Sequence, residues 1–195
     1  ISKLDNFVQH KKRNRIATIN TEIIVNAQSD EEFKEILLQN NLRLADGIGV
    51  LWGAKFDSIN FTHIPIIKHL EIIIVWLFSL LTLPLFLKIF PSPIPERIAG
   101  ADFVWDIARY ANDNSLKLFL LGGAPTVAER TALELQTKIY GLKIAGVHSG
   151  GPKDTNEIVS VINNSKADII MVAFGAPKQE KWLFENLTKT TCKIG

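Results

Sequence analysis

With one cysteine, Cys192, among 195 residues, no internal disulfide can form, and a reducing compartment is the expected setting. Neither sign of charge dominates. The 22 Lys and Arg nearly cancel the 20 Asp and Glu, leaving a net +2, too little to imply nucleic acid as a partner. The only basic cluster, Lys11, Lys12, Arg13 and Arg15, reads first as a solvated segment, with contact to anionic lipid as the alternative. No cleavable signal peptide opens the chain. An initiator methionine is absent, and Thr191 to Gly195 reads like an interrupted strand, so a piece of a longer protein is expected.

Several chemistries lack their residues. The four histidines, His10, His63, His69 and His148, have no metal-ligand spacing, and Cys192 has no cysteine partner. There is no Gly-x-Ser-x-Gly elbow and no phosphate loop ending in Gly-Lys-Ser/Thr. No Asp-x-Asp occurs, so the usual carboxylate pair for a sugar-nucleotide metal ion is missing. The absence of a full Gly-x-Gly-x-x-Gly argues against a dinucleotide oxidoreductase.

What is present is a globular composition, 47% hydrophobic and 22% charged, able to bury a core. Short apolar runs alternate with longer amphipathic ones. Arg15–Ile19, Leu42–Ala45, Leu116–Leu121, Lys143–Val147 and Asp168–Phe174 read as strands. Ser29-Asp-Glu-Glu32 reads as a capping box, opening a helix to about Asn40. Further helices are expected over Ala101–Asn114, Pro125–Tyr140, Thr155–Asn164 and Pro177–Leu187, with Pro125 and Pro177 in first turns. Alternation of this kind predicts an α/β fold: a parallel sheet with helices on both faces.

One stretch stands apart. The sixteen residues Ile72–Leu87 carry no charge and are bounded by Lys68, His69 and Glu71 on one side and Lys88 on the other. As a helix they would reach ~24 Å at about 1.5 Å per residue, short of a ~30 Å hydrocarbon core that takes roughly 20 residues. Pro84 would bend such a helix. A buried core helix is one reading. The lack of any polar face favours a membrane-embedded or membrane-lying segment.

Three strand-to-helix junctions are candidates for chemistry. Asp46, in Leu44-Ala-Asp-Gly-Ile-Gly49, stands at a strand end, where a carboxylate can serve as an acid or base or can cap the next helix. In Leu120-Leu-Gly-Gly-Ala-Pro125, Gly122 and Gly123 permit close approach of a phosphate or form a tight turn. Phe174-Gly-Ala-Pro-Lys-Gln-Glu-Lys181 sets Gly175 before Lys178, Gln179 and Glu180 in a first helical turn, favouring a polar ligand.

Taken in order, five blocks resemble the TagA/WecG/CpsF glycosyltransferases: Thr18-Ile-Asn-Thr-Glu22, Ala45-Asp-Gly-Ile-Gly49, Pro95-Glu-Arg-Ile-Ala-Gly-Ala-Asp102, Leu120-Leu-Gly-Gly-Ala-Pro125 and Phe174-Gly-Ala-Pro-Lys-Gln-Glu180. The resemblance implies a Rossmann-like α/β fold and inverting transfer of an N-acetylmannosamine-type sugar from UDP, without metal or other cofactor. Its acceptor would be a polyprenyl-diphosphate-linked sugar at the cytoplasmic face of the cell membrane. Asp46 matches the family's proposed base, Thr18 its active-site threonine, Arg97 its essential arginine and Gln179 its active-site glutamine. Asn20, Gly122, Gly123, Gly175, Lys178, Gln179 and Glu180 are the substrate-binding positions that follow. A membrane-tethered nucleotide-binding module, or another sugar-nucleotide enzyme, remains the alternative.

The expected organisation is one α/β domain over residues 1–195, interrupted by an apolar insertion over 57–94 and lacking the family's C-terminal appendage. A homo-oligomer is compatible with the sequence. If the Asp46 and Arg97 blocks share one site, both ends of the insertion must leave the membrane on the same side. That excludes a single span. It leaves a re-entrant hairpin turning near Ser79 to Pro84, or an interfacial helix with Trp76 near the headgroups.

Overall fold

The computed structural model describes residues 2–9, 12–90 and 92–195, so His10 and Lys11 of the sequence reading fall outside it. The elements run α1 (Ser2–Gln9), β1 (Ile16–Ile19), α2 (Thr21–Ser29), α3 (Glu31–Leu38), β2 (Leu42–Ala45), α4 (Ile48–Asp57), α5 (Pro65–Leu81), α6 (Leu83–Ile89), α7 (Gly100–Asp113), β3 (Lys117–Gly122), α8 (Val127–Lys138), β4 (Lys143–His148), α9 (Thr155–Ser165), β5 (Ile169–Ala173) and α10 (Lys178–Asn186). They form two compact units. One comprises residues 1–17, 22–43 and 100–195, and the other 18–21 and 44–99.

The larger unit is built on a three-stranded parallel sheet in the order β4-β3-β5. Successive side chains of a strand point to opposite faces, and β3 is apolar on both. Leu118 and Leu120 pack with Leu4 of α1, Ile107 and Ala111 of α7 and Leu135 of α8. Phe119 and Leu121 pack with Ile158 and Ile162 of α9 and Trp182 and Leu183 of α10. Helices therefore cover both faces, and this is why β3 reads as a continuous apolar run. Gly146 on β4 makes room for the Phe119 ring, since a Cβ there would come within 2.7 Å of it.

Where one parallel sheet was expected, two hydrogen-bonded sheets occur, β1-β2 and β4-β3-β5. In the first, Leu42 N–H donates to Arg15 O and Asp46 N–H to Ile19 O, an advance in step that makes the pair parallel. Ile194 forms parallel bridges with both Asn14 and Ile169, so Lys193–Gly195 lies between the start of β1 and β5 as a strand of minimal length.

Three helix starts differ from expectation. Ser29 ends α2, its hydroxyl donating to Asn26 O, and Asp30 is the cap of α3, accepting from Phe33 N–H at 2.9 Å. Pro177 caps α10 from the position before its first residue, and Pro125 lies before Thr126, the cap of α8.

In the smaller unit the apolar stretch forms two helices, α5 and α6, bent by 108° at Thr82. Neither is long and apolar enough to cross a membrane by itself. The Thr82 hydroxyl donates to Phe78 O and the Ser79 hydroxyl to Trp76 O, so both satisfy carbonyls near the bend. Between Ile72 and Leu87 only Ser79 and Phe86 are buried, while Leu81 is 84% exposed. In this chain most of the pair is therefore open rather than enclosed. Helix α4 is fastened to the pair: Trp52 Nε1 donates to Ser79 Oγ at 2.9 Å, and buried Lys55 donates to Phe90 O at 2.7 Å and to Leu87 O.

Candidate active site

In the smaller unit three pieces of backbone run side by side. Asp46 N–H donates to Ile19 O at 2.8 Å, and Ile98 N–H donates to Ala45 O at 3.0 Å. The first bond joins Asp46 itself to the residue between Thr18 and Asn20, and the second joins the immediate neighbours of Arg97 and Asp46. The carboxyl ends of β1 and β2 and the segment before α7 thus bring Thr18, Asn20, Asp46 and Arg97 into one neighbourhood, although Arg97 lies far along the chain. Thr18, Asn20 and Asp46 are half-buried and Arg97 is exposed.

Asp46 does not cap the following helix. The cap position of α4 is Gly47, at φ +105, without any side-chain cap hydrogen bond. The Asp46 carboxylate has no hydrogen bond or ion pair among the described residues, which leaves both oxygens available. Gly49 has a packing reason: a Cβ there would meet Thr21 Cγ2 at 2.7 Å, so glycine lets the first turn of α4 close onto the turn after β1.

In the larger unit, the loops after β3, β4 and β5 all open at the carboxyl ends of parallel strands, the usual ligand side of such sheets. Gly122, at φ +100, lies so close to Ala173 that a Cβ would come within 2.8 Å of its backbone. Gly123 N–H donates to Ala173 O at 2.8 Å, and Gly150 N–H to Gly123 O. The Gly123 amide is thereby engaged within the protein, as is the Gly175 amide, which donates to Gln179 Oε1 at 3.1 Å. Close approach of the loops, rather than a free amide at either glycine, is what these residues supply. A cavity of about 250 Å³ opens beside them, lined by Gly122, Val127, Met171 and Ala173.

Gln179 links this turn to Glu180. Its Nε2 donates to Glu180 Oε1 at 2.8 Å, while Glu180 Oε2 is buried and has no partner among the described residues. Burial pushes the Glu180 carboxyl above its ordinary value, and the Gln179 bond only partly offsets that. Lys178 is exposed at the start of α10. Its neighbour Lys181 is held at 3.0 Å from Asp30 and 2.7 Å from Glu32, joining α10 to α3.

The sequence reading passed over one pair. Ser149 donates to Glu129 Oε2 at 2.6 Å, at the end of β4 and the start of α8. This bond lowers the Glu129 carboxyl below its ordinary value, with a smaller contribution from His148. The adjacent Gly150-Gly151 was the available signal. Among the described residues, no group of three or more His, Cys, Asp or Glu is placed to hold a metal ion.

The sequence pattern described as the "Glycosyl transferase WecG/TagA/CpsF family" matches residues 1–70 and 80–195. The chain belongs to this family. The unmatched residues, 71–79, lie inside α5. It is 25% identical, over 92% of its length, to an N-acetylglucosaminyldiphosphoundecaprenol N-acetyl-beta-D-mannosaminyltransferase of Bacillus subtilis (strain 168). A protein of the same name from Bacillus spizizenii is 26% identical, again over 92% of the chain. The chain spans 58% and 60% of the length of these two curated relatives.

The WecG/TagA/CpsF candidates thus divide between the units. Thr18, Asn20, Asp46 and Arg97 gather in the smaller one. Gly122, Gly123, Gly175, Lys178, Gln179 and Glu180 belong to the larger one, where Gly122 and Gly123 approach the end of β5 and Gly175, Gln179 and Glu180 form one hydrogen-bonded turn.

Proposed function

We propose that this chain carries the catalytic fold of an inverting, metal-independent glycosyltransferase. It would move an N-acetylmannosamine-type sugar from UDP to the sugar of a polyprenyl-diphosphate-linked acceptor, in cell-surface polysaccharide synthesis. Family membership and the names of the two Bacillus relatives support the reaction class. The observation that carries the residue assignment is the pair of backbone bonds, Asp46 to Ile19 and Ile98 to Ala45, which gathers Thr18, Asp46 and Arg97.

In this reading Asp46 takes the proton from the acceptor hydroxyl as that oxygen attacks the anomeric carbon. Its unengaged carboxylate at a strand end suits the task. As the bond to UDP breaks, charge grows on the leaving diphosphate, and the Arg97 guanidinium, exposed and without an ion pair among the described residues, stabilises it. Thr18 and Asn20 position the reacting groups beside Asp46. Gly122, Gly123, Gly175, Lys178, Gln179 and Glu180 serve the donor. Glu180, buried beside this turn, accepts from Gln179 Nε2 and so holds that side chain in place.

The bent pair α5–α6 is the membrane-facing part of this reading. Its exposed Ile66, Leu70, Ile73, Leu77 and Leu81 form an apolar surface of the kind seldom left open to water. The pair lies in the cytoplasmic headgroup layer with both ends on one side, bringing the enzyme to its lipid-linked acceptor.

The test is a donor screen. A full-length protein and a short-chain lipid-diphosphate acceptor are combined with a panel of UDP-sugars, and UDP release and product anomeric configuration are read by NMR. Transfer with inversion, unchanged by EDTA, is expected. Binding of UDP-sugar without transfer to any acceptor would leave a nucleotide-binding module instead.

A further inference from the structure

Where α4 ends and α5 begins, the smaller unit holds a cavity of about 430 Å³ lined by Phe56, Asp57, Phe61, His63, Lys68 and Ile72, among others. Lys68 and Ile72 are four residues apart on α5 and so share one face of it. We propose that this cavity binds a lipid headgroup bearing both a phosphate and an ammonium group, anchoring the α5–α6 pair to a zwitterionic phospholipid. The proposal rests on the membrane-lying reading of that pair and not on the transfer chemistry.

Charge and position support it. Asp57 and Lys68 both line the cavity, and neither has an ion pair among the described residues. Nearby Glu71 is already committed, accepting from Thr62 N–H at 2.9 Å. A simple anion would meet Lys68 and His63 but be repelled by Asp57. A headgroup of both signs matches all three. Phe56 and Phe61, with ring centroids 5.8 Å apart, offer aromatic surface to an ammonium. Next to the cavity, Ile66 is 85% exposed and Leu70 59%, where acyl chains would lie.

Length decides against the acceptor's own diphosphate. The ten residues of α4 separate the Asp46 turn from the cavity by ~15 Å at about 1.5 Å per residue. One sugar ring between diphosphate and reacting hydroxyl does not reach that far.

Flotation of the full chain on vesicles tests the proposal. Phosphatidylglycerol vesicles are compared with equal parts phosphatidylglycerol and phosphatidylcholine, and with phosphatidylglycerol carrying a polyprenyl diphosphate. Severalfold tighter binding to the phosphatidylcholine mixture is expected, against the trend for a net-positive chain as surface charge is diluted. Asp57→Asn and Lys68→Gln should each remove that gain while keeping the binding to phosphatidylglycerol alone. Equal binding to both, or a gain that survives both substitutions, overturns the proposal. A gain only with polyprenyl diphosphate also overturns it, by giving the cavity to the acceptor. If no vesicle binds, the membrane-lying reading fails by itself. Titration with soluble glycerophosphocholine, followed at the His63 ring by NMR, then decides the cavity: shifts lost in Lys68→Gln uphold it and no shift overturns it.

Discussion

The Ile98 amide donates to the Ala45 carbonyl at 3.0 Å, setting the segment that carries Arg97 against the strand end that carries Asp46. Asp46→Asn in a full-length protein should lower turnover about 10²–10⁴-fold, the usual worth of a positioned general base. UDP affinity, measured by calorimetry, should hardly change. Arg97→Ala should lower kcat and kcat/KM together, as expected for an interaction strongest in the transition state. Near-normal turnover in Asp46→Asn would remove it from the chemistry.

The Lys55 ammonium reaches two carbonyls at the end of α6. Lys55→Met should leave those groups without their donor, destabilising the helix pair by roughly 1–3 kcal/mol. Hydrogen exchange should quicken at the α6 amides while those of β3 stay protected. Unchanged α6 protection would show that the two bonds contribute little.

Replacing residues 61–90 with a short polar loop should give a more soluble protein that still binds UDP. It should use lipid-embedded acceptor poorly and a water-soluble acceptor analogue well. Single cysteines at positions 60 and 92 should be labelled from one face of sealed vesicles. Labelling from opposite faces would sink the same-side arrangement, and an unfolded deletion variant would make the segment part of the core.

Glu180 gives a pH dependence with a definite sign. Burial raises its folded-state value above 4.5, so the folded protein holds this proton more tightly than the unfolded chain does. The resulting stability is fully present below 4.5 and is lost as pH rises through the folded value. Urea midpoints should therefore fall over that window in the native protein, and the fall should be smaller in Glu180→Gln. Parallel profiles for the two proteins would mean that the carboxyl titrates normally.

Cys192 is fully buried, and burial pushes its thiol up to about 11. At neutral pH it is protonated and shielded, so a thiol reagent should label it only through opening of the larger unit. The labelling rate should rise with urea in step with loss of β3 protection. Fast labelling in native buffer would contradict the packing around Leu187 and Ile170.

Much of this was readable in the residues. β3 and β5 announce themselves by apolar runs too continuous for a half-solvated sheet, and the position of Asp46 at a strand end is announced by the run Leu42–Ala45 before it. Helix α2 was missed because Thr21–Ser29 mixes Asn, Gln and Ser with its apolar residues. Its extension to Ser29 moved the next cap to Asp30. The engagement of the Gly123 and Gly175 amides was not readable either. Both bonds depend on how a loop folds back, onto Ala173 in one case and onto a side chain in the other. The adjacency of Ile98 and Ala45 spans the whole apolar segment, and no local pattern encodes it.

The bridges of Ile194 to Asn14 and Ile169 set an order on the ribosome. β1 can pair with β2 early in synthesis, because only two short helices separate them. Its other edge must wait for residues 193–195 to emerge. Until then the nascent chain displays an unpaired strand edge, a template for mispairing. The apolar α5–α6 pair is synthesised within that interval, so early capture of the pair by a bilayer would take it out of reach of the open edge.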